Sequence, residues 1–567
     1  MITNEYNLLM KENFIKMKNM DTLVQNEKYY LGDLDARTEW EDSPEIAKAL
    51  FLHTESYEEF LDNNSLILLG RTGTGKTAIL RCIEDAISTG QLEEYKHVLL
   101  LSFDDILGEF SSFLEIDNSA KSKDDVTRTI KWIINIAVMK FLITKFDTPT
   151  IREYLTKNGL ITNISVTDKI KKGIEPLSGL IGKYGEAINI MLKLTDFANS
   201  IYTKSDYQSA LDEMFTLLDK NPILVLIDSS NEYDMRDNRI VIILKALINN
   251  CFEYHSYKSK WHINVKLALP SEIYTHILQY LPGKQKGNTV VIRWKYDDLV
   301  CFIAKRFCYY LSQDKYGHIF DFLQEYKLNE LSDFESANNL LANILPEMCP
   351  TNLKYDFDTI PYCIRHTLKK PRELMLIFNA LIQKIVESKN AKIYFENSQM
   401  IKDVIHSTQE LMISSSLSMY ENSYPNIQQA CSIVLNNNPF IFRGKDIEDK
   451  LKEASAFTTN YGYDDRDIKR VLLESGLLGV VTDVEYINNM EKMHSDKKIR
   501  VITARFEYQV KGSLFFNTDE YYVIHPMCYE HFTCGVNPYT LVYVDKNSDP
   551  NDKIITLLKN DVLILQS

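Results

Sequence analysis

The chain lacks any uninterrupted apolar run of about 18 residues, the length a helix needs to cross a bilayer, so no helical membrane span is expected. Its first stretch, MITNEYNLLMKENFIKM, has no apolar core of the kind that directs secretion. A surplus of positive charge is also missing. Lys and Arg number 64 against 78 Asp and Glu, giving a net charge of -14 and a pI near 5.4. That balance argues against a broad surface for wrapping nucleic acid, which needs clustered cations, and leaves room only for a local basic patch. Cysteine is sparse: nine residues, an odd number, scattered from Cys82 to Cys534. Such spacing gives no disulfide framework and fits a reducing interior. Together these absences lead us to expect a cytoplasmic protein. No Ser-His-Asp or Cys-His nucleophile arrangement is evident either.

What is present is ordinary globular composition, 45% hydrophobic and 25% charged over 567 residues, enough for a sizeable core. At about 100 to 200 residues per domain the length suggests three or four domains. The most informative stretch is SLILLGRTGTGKTAIL, residues 65 to 80. Ser65 to Leu69 reads as a buried parallel strand. Gly70 to Thr77 is a full match to GxxxxGK[ST]. Ile79, Leu80, Ile83, Ala86 and Ile87 then keep helical spacing, and Gly90 can close the helix.

A strand, a glycine-rich loop and a helix in that order build a phosphate cradle. The glycines let the backbone fold around an anion, and loop N–H groups with the helix dipole point at it. Gly70, Thr72, Gly73, Thr74, Gly75, Lys76, Thr77 and Ala78 form the expected binding set, with Lys76 reaching the β and γ phosphates and the Thr77 hydroxyl on Mg²⁺.

Such a loop needs a carboxylate near the metal. In NPILVLIDSSNEYD, Ile223 to Ile227 form an apolar strand with Asp228 at its C-terminal end, where ligands of doubly wound sheets bind. Asp228 is the expected Mg²⁺ carboxylate, acting through water. Hydrolysis also needs a group to orient the attacking water. The residue after Asp228 is Ser229; the next acids are Glu232, the first candidate, and Asp234 behind it. Without an acid in that role, the site would bind nucleotide as a slow or inactive switch.

These motifs resemble the AAA-like and STAND-like branch of P-loop NTPases, which includes origin-recognition and KAP-type ATPases. The layout I-D-S-S-N-E resembles the family's acidic strand, with Asn231 in place of one acid and Glu232 keeping the other. INVKLALPSEIYTHI, residues 263 to 277, looks like the following strand, whose end carries a polar sensor; Ser271 or Glu272 stands there. VIRWKYDDLVCFIAKRF looks like the start of a helical lid, where Trp294, Leu299, Ile303 and Phe307 read as simple packing. RHTLKKPRELMLIFNAL is similar to a lid helix beginning with Pro-Arg. Pro371 suits a first helical turn, and Arg372 is either a γ-phosphate sensor or a solvated arginine. The resemblance covers roughly residues 30 to 390. It implies ATP and Mg²⁺ as cofactors and an output in bacterial antiviral defence or regulation, or else in DNA repair or replication. In similar proteins the lead-in, residues 29 to 61, helps cover the base.

The expected organisation is an N-terminal arm and lead-in over 1–62, an α/β P-loop NTPase core with a parallel sheet over 63–285 and a helical insertion at 107–205, a helical lid over 286–420, and a winged-helix-like domain over 421–567. Gly179, Gly182 and Gly185 in the insertion mark either close helix packing or a hinge. The last section reads as helices, then a two-stranded ribbon and a terminal helix. Its candidate recognition helix carries Arg466, Lys469 and Arg470 among Asp464, Asp465, Asp467 and Glu474, a poor balance for phosphate binding. A protein partner or homo-oligomer is therefore favoured over DNA. HPMCYEHFTC spaces His525, Cys528, His531 and Cys534 by three. On one helix the outer pair would lie about 13.5 Å apart along the axis, too far for a shared zinc ion.

Overall fold

The computed structural model describes residues 31–103, 123–158, 160–161, 205–229, 236, 238–272, 287–312, 321–346, 348–349, 357–388, 398–487, 499–506, 515–532, 534–535, 537 and 540–544. The N-terminal arm, the insertion's glycines, Asn231, Glu232 and Asp234 lie outside these described residues.

Three short helices lead in: α1 (Ala36–Asp42), α2 (Pro44–Leu50) and α3 (Glu55–Leu61). The core sheet follows: β1 (Ile67–Gly70), β2 (His97–Ser102), β3 (Ile223–Asp228), β4 (Ile263–Pro270) and β5 (Thr289–Val291), in the order β2-β3-β4-β1-β5. Every pair is parallel. A parallel sheet covered on both faces needs near-continuous apolar strands, and ILLG, ILVLID and INVKLALP are wholly buried.

Alternation divides the two faces. Leu68, Leu224, Leu226 and Ala268 pack with Ile79, Leu80, Ile83 and Ile87 of α4 (Lys76–Ser88). Ile67, Leu69, Val225, Ile227 and Leu267 pack with α5 (Lys123–Lys145) and α8 (Asn238–Ser256) on the other face. α6 (Pro149–Lys157) and α7 (Ser205–Leu218) complete that layer. Each such buried aliphatic side chain stabilises the fold by about 1.5–3 kcal/mol. α5 and α6 fall within the expected insertion, whose residues 107–122, 159 and 162–204 lie outside the described part.

The segment expected to be a lid forms its own apolar cluster, built from α9 (Tyr296–Leu311), α10 (Phe334–Ile344), α11 (Thr359–Arg365), α12 (Pro371–Ser388) and the first half of α13 (Ser398–Glu421). The C-terminal part contains α14 (Ile427–Leu435), β6 (Ile441–Arg443), α15 (Glu448–Thr458), α16 (Asp465–Glu474), β7 (Leu478–Ile487), β8 (Ile499–Phe506), β9 (Tyr521–Ile524) and β10 (Thr540–Val544). Its apolar residues, Ile468, Leu472 and Ile524 among them, are continuous with those of the parallel sheet's α5/α8 face.

Two expectations for this part are corrected. A five-stranded sheet in the order β10-β8-β7-β9-β6 replaces the two-stranded ribbon. The segment after β9 is a single 3-10 turn, Pro526–Cys528, rather than a terminal helix. Pro526 lacks an N–H and biases His525 toward extended backbone, and His525 Nδ1 accepts from the Met527 N–H at 3.2 Å. The helical-rise argument about zinc therefore does not apply to this segment. Among the described residues no group of three or more His, Cys, Asp or Glu side chains stands close enough to hold a metal.

Candidate functional site

The loop between β1 and α4 depends on glycine at two turns. Gly73 (φ +85°) and Gly75 (φ +95°) take left-handed backbone that other residues adopt only with strain. A Cβ on Gly73 would sit 3.1 Å from that of Arg372, so the loop and the lid helix approach closely here. Within the loop, the Thr74 hydroxyl donates to the Arg71 carbonyl at 2.7 Å.

Lys76 opens α4 and its side chain is buried. Its ammonium donates to the carbonyls of Gly70 (2.9 Å) and Arg71 (3.2 Å). Burial pulls the Lys76 pKa down to about 8; the Glu272 and Asp228 carboxylates push it back up, Glu272 more strongly, while Arg372 and Lys370 press it lower. At the next residue, the Thr77 hydroxyl donates to Asp228 Oδ2 at 2.8 Å. The expected metal pair is thus brought together from β3 and α4, across a span of 151 residues.

A cavity of about 290 Å³ opens over the loop. Thr72 through Ile79 line its floor, Arg372 and Met375 its lid side, and Trp40, Phe51, Ile292, Trp294 and Phe302 supply an apolar wall. Gly70 and Asp228 do not line it. The buried Thr72 hydroxyl has no hydrogen-bond partner among the described residues. An unpaired donor, left-handed glycines and a helix N-terminus over a cavity together fit a phosphate group. The Thr77 hydroxyl and the Asp228 carboxylate are hard oxygen donors that suit Mg²⁺.

Arg372 lines this cavity. Its main-chain N–H approaches the Gly73 carbonyl at 3.5 Å and its Nε donates to the Leu34 carbonyl at 3.2 Å, so it ties lid, loop and lead-in. Just beside it, the buried pair Lys370–Glu373 meets at 3.1 Å, and Glu373 accepts from the Leu368 N–H at 2.6 Å. Just after β4, the Ser271 hydroxyl donates to Glu272 Oε2 at 3.3 Å.

Four further residues escape the sequence reading. Trp294, which reads as packing, donates its indole N–H to the Thr74 carbonyl at 2.9 Å. Arg306 of α9 forms a buried two-pronged pair with Glu39 of α1, both contacts 2.8 Å, which fixes the lead-in against the lid. Arg71, an unconstrained x in the motif, is buried and donates to the main-chain carbonyl of Glu474 at the end of α16. Arg236 makes a second link, donating to the Tyr461 carbonyl at 3.2 Å and resting over the Tyr424 ring at 5.4 Å. The cations of α16 pair locally: Arg466 with Asp464, Lys469 with Asp465 and Arg470 with Asp467.

No family model matches the chain, and no curated protein matches it. Among solved structures, that of the Aeropyrum pernix ORC2 protein (ADPNP-ADP complexes) is similar with a TM-score of 0.33 and 10% identity, over 95% of this chain and 98% of that one. A likeness this faint transfers no residue role. The chain's own sheet and loop define it as an α/β protein of P-loop architecture with helical and C-terminal additions. No helix among the described residues is long and apolar enough to cross a membrane.

Proposed function

We propose that this protein is a Mg²⁺-dependent ATPase whose nucleotide occupancy sets the contact between its phosphate loop and its C-terminal part. The 2.8 Å contact between Thr77 and Asp228 carries this reading, because it places a hydroxyl and a carboxylate beside a complete phosphate cradle. When bound, Mg²⁺ neutralises charge on the β and γ phosphates. Thr77 and Asp228 would hold its position, while loop N–H groups and Thr72 would hold the phosphates. Lys76 leaves the Gly70 and Arg71 carbonyls to engage the γ end.

That movement reaches the C-terminal part directly, since Arg71 gives its carbonyl to Lys76 and its guanidinium to Glu474. Arg372 supplies a second link, from the loop through the lid. The C-terminal part, which we read as winged-helix-like, then serves protein contact or self-association better than DNA, because its α16 cations are already paired with acids. The purified protein should release phosphate from ATP, and Lys76→Ala should reduce release to background. Equal release by both proteins would sink the proposal.

A second reading, a nucleotide-gated scaffold with negligible turnover, is favoured by Ser229 at the position directly after Asp228. It predicts tight ATP retention and partner capture without phosphate release; rapid multiple turnover rules it out.

A further inference from the structure

Glycine gives the phosphate loop its shape and also makes it ambiguous. A peptide unit is planar and trans, so its C=O and N–H point in opposite directions. Turning the whole unit over exchanges the two with little movement of the chain. A residue with a Cβ resists one of these states, whereas glycine admits both. Gly75, at φ +95° and ψ 22°, directly follows such a unit. The Thr74–Gly75 peptide therefore has no steric lock on its Gly75 side, although it stands in the cavity floor immediately before α4. In one state it shows an anion an N–H; in the other it shows a carbonyl oxygen, which repels the anion.

One state is fixed from outside the loop. Trp294 Nε1 donates to the Thr74 carbonyl at 2.9 Å. The rest of Thr74 is tied within the loop, its N–H and its hydroxyl both donating to the Arg71 carbonyl, at 3.2 and 2.7 Å. Those two bonds hold the residue but leave the peptide after it able to turn. Among the described residues the Gly75 N–H has no hydrogen-bond partner. With the carbonyl drawn to the indole, that N–H faces the opposite way. Trp294 is itself well held. Two residues before it, the Ile292 N–H donates to the Leu69 carbonyl of β1 at 2.7 Å, and its ring meets that of Phe302 edge-on at 5.5 Å.

We propose that Trp294 is a positioning residue for phosphate: its indole N–H holds the Thr74–Gly75 peptide in the state that offers the Gly75 N–H to the nucleotide. The assignment rests on the nucleotide-binding part of the ATPase reading above. In this role Trp294 touches no phosphate and acts through the loop backbone. Without its bond the empty loop divides between the two states, and nucleotide has to select the competent one. Apparent affinity then falls in proportion to the competent fraction, while the site, once occupied, is the same. The expected signature is a raised KM with kcat nearly unchanged.

The test compares full-length wild type, Trp294→Phe, and the chain carrying the benzothienyl isostere of tryptophan at position 294, which keeps the two-ring shape and replaces the N–H by sulfur. Affinities for ATP, ADP and adenosine are read in parallel with steady-state phosphate release. Both changes should weaken ATP and ADP by about 10-fold, the worth of one net hydrogen bond, and raise KM by the same factor. Turnover at saturation should stay within about twofold, which a disordered site would not allow. Adenosine, which has no phosphate, should bind all three proteins equally. An equal loss of adenosine affinity would make Trp294 a wall for the base and overturn the assignment. An isostere that binds ATP as wild type does would overturn it too, because only the donor is missing there. The isostere also keeps the packing against Phe302, so a folding defect in Trp294→Phe leaves the test intact. A wild type that binds ATP without releasing phosphate overturns hydrolysis alone, and the affinities still decide the role of Trp294. A wild type that binds no nucleotide overturns both.

Discussion

The guanidinium of Arg71, the second residue of the phosphate loop, donates to the main-chain carbonyl of Glu474, the last residue of α16. The carbonyl of the same Arg71 accepts from Lys76. One residue therefore joins the group that must meet phosphate to a helix 403 positions away in sequence.

Removing this link should loosen α16 without unfolding the protein. A hydrogen bond from a charged donor is worth about 1.5–3 kcal/mol, so Arg71→Ala should speed amide exchange across residues 465–481 by roughly 10- to 100-fold. Exchange mass spectrometry reads this directly, and a non-hydrolysable ATP analogue on wild type should move the same peptides. Exchange that is identical in all three states contradicts the link.

The metal pair is separable from the phosphate cradle. Thr77→Val keeps the shape of the side chain and removes the hydroxyl that donates to Asp228. ATP affinity should then fall by roughly 10-fold or more with Mg²⁺ and stay unchanged with EDTA, as expected for the loss of one metal-positioning oxygen. Titration with a fluorescent nucleotide under both conditions decides; an equal loss in both would make Thr77 a phosphate contact instead.

Lys76 gives nucleotide binding a pH dependence. Burial lowers its pKa from the ordinary 10.5 to about 8 in the nucleotide-free protein. Between those values the unfolded chain keeps a proton that the folded one has released, so the nucleotide-free protein gains stability as pH rises through this window. Phosphate binding requires the ammonium, so ATP affinity runs the other way and falls as pH rises through about 8. One unit above, the loss is about 10-fold. Calorimetry in buffers of different ionisation enthalpy should detect proton uptake on binding at pH 9 and none at pH 7, and Lys76→Ala should abolish it. Uptake that is the same at both pH values would place the proton elsewhere.

The buried pair between Arg306 and Glu39 should behave asymmetrically. Arg306→Met leaves a buried carboxylate without its charge partner and should cost about 3–5 kcal/mol. The double change Arg306→Met with Glu39→Met removes both charges and should recover much of that loss. Chemical denaturation measures both. A double variant no more stable than the single one would show that shape, not charge, governs this contact.

Sequence legibility followed distance along the chain. β1, the loop and α4 were readable because apolar run, glycines and helical period are local, and each constrains the same few residues. Asp228 was readable because it ends a strand of five apolar residues. Arg71 and Trp294 were not, since their partners lie 403 and 220 residues away and no local pattern marks them. The segment around His525 was misread because its spacing of three mimics a helical period, while Pro526 sets a turn. β8 and β10 pair in parallel, a relationship that strand periodicity alone does not reveal.

Trp294 has a practical consequence. Its indole bonds the Thr74 carbonyl at 2.9 Å and meets the Phe302 ring of the lid edge-on, the ring centres 5.5 Å apart. Of the chain's four tryptophans, only Trp40 shares the cavity with it. The protein thus carries an optical probe wired to both its loop and its lid. In a Trp40→Phe background, a change of indole emission on adding nucleotide would time the arrival of phosphate without any attached dye.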